Sequence, residues 1–79
     1  MATVMTTGTY GSDDPTRAAF PLLQARAALE AGHQAEVFLS GEAVYLMKTE
    51  VADAVNPVAW PNAGELVREV ASKGGTFYI

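Results

Sequence analysis

The chain has 79 residues, of which 49% are hydrophobic and none is cysteine, and its nine acidic and five basic residues give a formal net charge of −4. This length predicts a single domain over residues 1–79, and the apolar fraction is too high for a disordered chain. The composition excludes disulfide scaffolds, thiolate catalysis and cysteine-rich metal sites, and the few scattered basic residues argue against a nucleic-acid partner.

The N-terminus lacks the basic segment of a secretory signal, and no apolar run approaches the roughly 20 residues of a membrane span. We therefore expect a cytoplasmic protein with no membrane partner. Folding of so small a chain buries only about 60% of the surface that is exposed in the unfolded state, so we also expect it to associate with partners.

Residues 2–8 are short, β-branched and end at a glycine, which predicts a buried strand. A turn-rich loop follows, and Asp14 before Pro15 predicts the start of a helix, because the carboxylate can cap free N–H groups and proline is tolerated at the first helical position. The helix is expected to run to about Ala31, since Gly32 can adopt the left-handed conformation that ends helices.

The apolar residues of this helix recur at helical spacing and predict its buried side. They are Phe20, Leu23 and Ala27, flanked by Ala19, Leu22 and Leu29. Pro21 is the exception, because it removes a backbone donor and crowds the Arg17 carbonyl; it predicts a kink or a first turn set off from the rest.

The remainder of the chain predicts a strand over residues 35–40, a short helix over 42–48, a helix over 63–72 and a third strand over 76–79. Between them, residues 49–62 form at most a brief helical or extended piece, since prolines flank Trp60. We interpret Trp60 as an anchor of the core or of a subunit contact, and Tyr45 and Met47 as packing residues or part of an oligomer contact.

Alternation of strands and helices predicts an α/β fold, with a small parallel sheet, right-handed crossovers and flanking helices. The strands contain few polar residues, which predicts a sheet buried on both faces. In such sheets, ligands bind where the carboxyl ends of strands lead into helices. Two loops of this kind supply the predicted binding residues, which are Thr7, Gly8, Tyr10, Asp14, Arg17, Ser40, Gly41 and Glu42.

Several of these residues also have purely structural interpretations. Asp14 is typical of a helix cap, Arg17 of a partner for Asp13 or a solvent-facing cation, and Glu42 of a first-turn charge favoured by the helix dipole. His33, just past a helix end, is typical of a surface turn. The loops lack the Lys-Ser/Thr of a P-loop and the third glycine of a dinucleotide fingerprint, and one histidine cannot build a metal site, so we expect no cofactor and no metal.

The same segments form an ordered set of motifs. They are Thr7-Gly8-x-Tyr10-Gly11-x-Asp13-Asp14-Pro15-Thr16-Arg17, Pro21 followed by Ala25 and Ala28, Ala31-Gly32-His33, Val37-Phe38-Leu39-Ser40-Gly41-Glu42-Ala43-Val44, and Val58-Ala59-Trp60-Pro61 before Glu65-Leu66. Their order and spacing over almost the whole chain resemble the DsrE/DsrF-like family of sulfur-relay proteins, in which a proline within the first helix is common.

This resemblance implies a flavodoxin-like, three-layer α/β fold that assembles into homo-oligomers or into hetero-oligomers with related subunits. It also implies a cysteine, at the carboxyl end of a strand, that carries sulfur as a persulfide. This chain has no cysteine and ends where family members generally continue into a cysteine-bearing turn, so the C-terminal part of the family fold is expected to be missing and no catalytic residue is predicted. Two explanations stay open: a truncated piece of a longer member, or a naturally short relative without cysteine.

The predicted function is that of a non-catalytic protein related to sulfur-relay subunits. One alternative is a small module that binds an anion or a nucleotide at the two loops. Another is a structural subunit that completes its sheet by pairing with another chain through an exposed strand at residues 76–79.

Overall fold

Strands and helices alternate along the chain as predicted, in a computed structural model that describes residues 1–79. In chain order the elements are β1 (Thr3–Gly8), α1 (Pro15–Glu30), β2 (Gln34–Leu39), a 3-10 helix (Gly41–Met47), α2 (Thr49–Ala52), α3 (Ala63–Ser72) and β3 (Thr76–Tyr78). The predicted boundaries are confirmed to within one residue. The segment predicted as the second helix is a 3-10 helix, and the irregular stretch after it contains the four-residue α2.

The sheet is parallel throughout, and its strands follow one another in the order β1-β2-β3. β1 pairs with β2 along its whole length, from Thr3 opposite Gln34 to Gly8 opposite Leu39. β3 pairs with the other side of β2 over only three residues, ending with Tyr78 opposite Phe38. The predicted α/β class, with a small parallel sheet and flanking helices, is confirmed.

Helices α1 and α3 pack against the same face of this sheet and against each other. Parallel strands are joined by right-handed crossovers, so two successive crossovers that advance in one direction place their helices on one side. The core lies between these helices and the sheet. Its largest fully buried side chains are Leu22, Val37, Leu39, Leu46, Val55, Leu66 and Val70.

No element within residues 1–79 covers the opposite face of the sheet, so the predicted burial on both faces is not found in these residues. Met5, Phe38 and Tyr78 lie on this face with 57%, 41% and 44% of their surface exposed. Along β2, exposed or half-buried residues alternate with fully buried ones. The polar residues Gln34 and Glu36, which alternate with apolar residues along β2, were the sequence signal for an exposed face. Within these 79 residues the fold has two layers, one of helices and one of strands, instead of three.

Helix α1 begins as predicted and is continuous through Pro21, so no separate first turn is present. The Asp14 side chain caps it by accepting a hydrogen bond from the Arg17 N–H at 3.1 Å. Pro21 is buried against the end of β1, where Gly8 leaves room for its ring: a Cβ on Gly8 would lie 2.8 Å from the proline Cγ. The Thr6 hydroxyl donates to the Pro21 carbonyl at 3.1 Å, which ties the helix to the strand.

The predicted buried side of α1 is confirmed for Ala19 and Leu22 but is wrong for Phe20 and Ala27. The helix contacts the sheet through Ala18, Ala19, Leu22 and Ala25, whereas Phe20 is 47% exposed. The end of the helix is as predicted, since Gly32 has a left-handed backbone with φ of 87°. None of the helices has the length and apolarity that crossing a membrane would require.

Candidate functional site

The loop between β1 and α1 is held by hydrogen bonds to its own carboxylates. Asp13 accepts from the Gly11 N–H at 2.8 Å, and Asp14 accepts from the Arg17 N–H at 3.1 Å. The Asp14 N–H in turn donates to the Gly11 carbonyl at 3.2 Å. The structural interpretation of Asp14 as a cap is confirmed, and a carboxylate already occupies the N-terminus of α1, where an anion would otherwise be attracted.

The two predicted loops meet through their backbones. Gly11 is buried against the Glu42 carbonyl so closely that a Cβ would have no room there. Gly41 has a φ of 59° and lies against the Thr9 carbonyl, which is a second position that favours glycine. These contacts are structural, and they leave no cavity between the loops.

A pocket of about 420 Å³ lies instead between the end of β1 and the first half of α1. Four of the predicted binding residues line it, while Asp14, Ser40, Gly41 and Glu42 do not. The eight lining residues are Thr7, Gly8, Thr9, Tyr10, Arg17, Phe20, Pro21 and Gln24.

Of the helical wall of this pocket, the sequence interpretation assigned Arg17 to a site but not Phe20, Pro21 or Gln24. Phe20 lies three residues after Arg17 and Gln24 lies four residues after Phe20, so the three residues share one side of α1. This spacing, directly after a strand and its loop, was the available signal. It was obscured because Phe20 also fitted the predicted apolar side.

Arg17 is the only charged residue in the pocket lining. Its guanidinium donates to the Tyr10 hydroxyl at 3.3 Å, lies 5.5 Å from the centre of the Tyr10 ring, and is 3.6 Å from the Asp14 carboxylate. The Arg17 side chain is 61% exposed, which agrees with the interpretation as a solvent-facing cation, whereas the predicted partner Asp13 is wrong because Arg17 pairs with Asp14.

The hydrogen bond with Tyr10, followed by the charges of Tyr10 and Asp14, raises the pKa of Arg17 above the ordinary value of an arginine. Arginine is protonated throughout the neutral range even without such a shift, so Arg17 is a cation there. The pocket therefore combines one fixed positive charge with the hydroxyl and amide donors of Thr7, Thr9 and Gln24.

Other residues that the sequence singled out have different environments. The imidazole Nδ1 of His33 accepts a hydrogen bond from the Ala2 N–H at 3.0 Å, so His33 holds the start of β1. Trp60 is 49% exposed and is not a core residue. No group of three or more histidine, cysteine or acidic side chains comes close enough together to hold a metal ion.

Comparison with known proteins agrees with the motifs. No curated protein and no solved structure gives a significant match to the chain. The family model described as the DsrE/DsrF-like family matches residues 2–79, which is nearly the whole chain and includes the β1 end, the α1 wall and the 3-10 helix. The chain therefore belongs to the DsrE/DsrF-like family.

Proposed function

We propose that this chain is a subunit of the sulfur-relay type that binds a small anion and does not itself carry persulfide sulfur. Family membership over residues 2–79 supports the relay assignment. The chain of 79 residues contains no cysteine, and a persulfide carrier needs a thiolate, which a serine or threonine hydroxyl cannot replace. In this proposal the subunit acts in the cytoplasm beside a partner that supplies the thiol.

The pocket between β1 and α1 supports the binding role. The single observation that carries it is Arg17, a permanent cation in a pocket whose eight lining residues include no acid, although the chain has a net charge of −4. A guanidinium recognises oxyanions through paired N–H donors, and the Tyr10 hydroxyl at 3.3 Å holds it at the pocket wall. The size of about 420 Å³ accommodates a small sulfur oxyanion such as thiosulfate or sulfite.

Arg17→Gln tests this binding. Thiosulfate is titrated into ¹⁵N-labelled protein at constant ionic strength, with chloride as the comparison salt, and we expect amide shifts at Gly8, Tyr10 and Arg17. Loss of a charge-assisted hydrogen bond weakens binding by about tenfold or more in Arg17→Gln. Arg68→Gln is the matched control, because Arg68 pairs with Asp53 at 3.0 Å and does not line the pocket.

Two results would contradict the binding role: no amide shifts at tens of millimolar thiosulfate, or equal affinity in wild type and Arg17→Gln. A separate measurement tests the second half of the proposal. After incubation with polysulfide, intact mass spectrometry is expected to show no added sulfur on the chain, and a stable adduct of one sulfur atom would show that it carries sulfur after all.

A further inference from the structure

The pocket between β1 and α1 is several times larger than the small anion proposed for it. A water molecule occupies about 30 Å³ in the liquid, so a pocket of about 420 Å³ has the volume of about 14 waters. A thiosulfate ion replaces only a few of them. Pockets of about 300–1,000 Å³ are those in which proteins bind organic ligands. An oxyanion on Arg17 therefore leaves most of the pocket to another part of the ligand.

The α1 wall of the pocket presents three kinds of side chain in a row. Arg17, Phe20 and Gln24 supply a cation, an aromatic ring and an amide, in that order. A helix rises about 1.5 Å per residue, so Phe20 lies about 4.5 Å beyond Arg17 along the axis and Gln24 about 10 Å beyond it. A ligand that contacts all three is therefore an elongated molecule of about 10 Å that carries its charge at one end.

The aromatic ring of this wall contributes nothing to the binding of an inorganic anion. Phe20 lines the pocket with 47% of its surface exposed, and Pro21 beside it is buried. A hydrocarbon surface cannot replace the hydration of an oxyanion. It does favour an apolar group, since removing about 60 Å² of apolar surface from water strengthens binding about tenfold. Phe20 thus favours a ligand with an organic body.

Gln24 determines which group fits the other end of this wall. Its side-chain amide is neutral, and it both donates and accepts hydrogen bonds. Arg17 is the only charged residue in the lining, so a second charged group on the ligand would lose hydration without gaining an ion-pair partner. This end of the pocket therefore favours a neutral polar group, such as an amide.

We propose that the pocket binds an organic sulfur oxyanion, with its oxyanion on Arg17, an apolar body against Phe20 and a neutral hydrogen-bonding group at Gln24. The assignment rests on the proposed function, because Arg17 is the anion site in both. It adds Phe20 as the residue that determines specificity, since only an organic anion gains from the ring. The ligand class comprises sulfonates and organic thiosulfates, in which a carbon atom or a carbon-bound sulfur atom carries the oxyanion.

Three sulfonates that share one head group test this order of contacts. They are methanesulfonate, benzenesulfonate and 4-acetamidobenzenesulfonate, which add first a ring and then an amide. Each is titrated into ¹⁵N-labelled protein at constant ionic strength, and its affinity is measured from the amide shifts at Gly8 and Arg17. We expect the ring to strengthen binding at least about fivefold and the amide to add about threefold.

Substitutions in α1 separate the two contributions. Phe20→Ala is expected to remove the gain from the ring and to leave the affinity for methanesulfonate within about twofold, whereas Phe20→Leu retains most of the gain because leucine is apolar. Gln24→Ala is expected to remove only the gain from the amide. The matched control is Tyr45→Ala, because Tyr45 is an aromatic residue that is 51% exposed and does not line the pocket. Circular dichroism verifies that each variant folds.

The outcomes distinguish this ligand class from the anion site on which it depends. If thiosulfate binds through Arg17 but benzenesulfonate binds no more tightly than methanesulfonate, the organic ligand is overturned and the anion site stands. The same conclusion holds if the gain from the ring persists in Phe20→Ala. Equal affinity of wild type and Arg17→Gln for benzenesulfonate also overturns the proposal, because the head group would not lie on Arg17. If neither thiosulfate nor any sulfonate shifts an amide at tens of millimolar, the anion site itself fails.

Discussion

Pro21 shows how one residue determines contacts in both a helix and a strand. It removes a backbone donor from α1, yet the helix stays continuous because the proline ring packs over Gly8 and the Thr6 hydroxyl donates to the Pro21 carbonyl. Thr6 is the one buried polar side chain of the chain, with 6% of its surface exposed. The proline was recognisable in the sequence, but its partners lie 13 and 15 residues earlier, so only the packing of α1 on β1 identifies them.

Thr6→Val is expected to lower the free energy of unfolding by about 1 kcal/mol. The valine has the same shape as threonine but no hydroxyl, so the buried Pro21 carbonyl loses its donor. Urea denaturation monitored by circular dichroism measures the difference. The control is Thr3→Val, whose hydroxyl donates to Gln34 at an exposed position and whose loss should change stability by less than about 0.5 kcal/mol. Equal effects of the two substitutions would contradict a stabilising role for the buried bond.

Helix ends and helix faces differed in how well they could be predicted. The start of α1 at Asp14 and its end before Gly32 follow from local chemistry, since a cap and a left-handed glycine need only the neighbouring residues. The buried face of α1 could not be predicted from neighbouring residues in the same way. Apolar residues surround much of α1, so their spacing fits more than one face, and contact with the sheet selects Leu22 over Phe20.

The pairing of α1 with α3 involves an ion pair between helices. Arg26 and Glu69 approach to 3.1 Å, with 23% and 37% of their side chains exposed. A double-mutant cycle with Arg26→Ala and Glu69→Ala is expected to give a coupling of about 0.5 kcal/mol by chemical denaturation, reduced in 0.5 M salt.

The control cycle uses Arg68 and Asp53, which are 3.0 Å apart but 57% and 43% exposed. Because water screens this second pair more effectively, its coupling is expected to be smaller. A coupling at Arg68 and Asp53 that equals or exceeds the one at Arg26 and Glu69 would contradict the assignment of the latter as the pair that stabilises helix packing.

At the scale of the whole molecule, the sheet is buried on one side only. Leu39 is fully buried beneath the helices, whereas its neighbour Phe38 points to the open face and is 41% exposed. Leu39→Ala is expected to destabilise the chain by about 2–5 kcal/mol. Phe38→Ala is expected to lower the free energy of unfolding of the monomer by less than about 1 kcal/mol, because the Phe38 side chain is not enclosed by the core.

Denaturation at low protein concentration, where the monomer predominates, measures both effects. If Phe38→Ala lowered the free energy of unfolding by about 3 kcal/mol or more, the effect would be typical of an enclosed aromatic side chain. It would show that the sheet face carrying Phe38 is covered.

The sequence by itself determined the order of strands and helices, the ends of α1 and the family of the chain, because caps, glycines, prolines and motif spacing act over a few residues. It also placed Thr7, Gly8, Tyr10 and Arg17 among the pocket residues, since they follow a strand and begin a helix. The tertiary structure decided which sheet face the helices bury, and that the pocket lies against α1 instead of beside Ser40–Glu42. The buried face depends on strand order: two crossovers that advance in one direction put both helices on one face, and no local pattern encodes that direction.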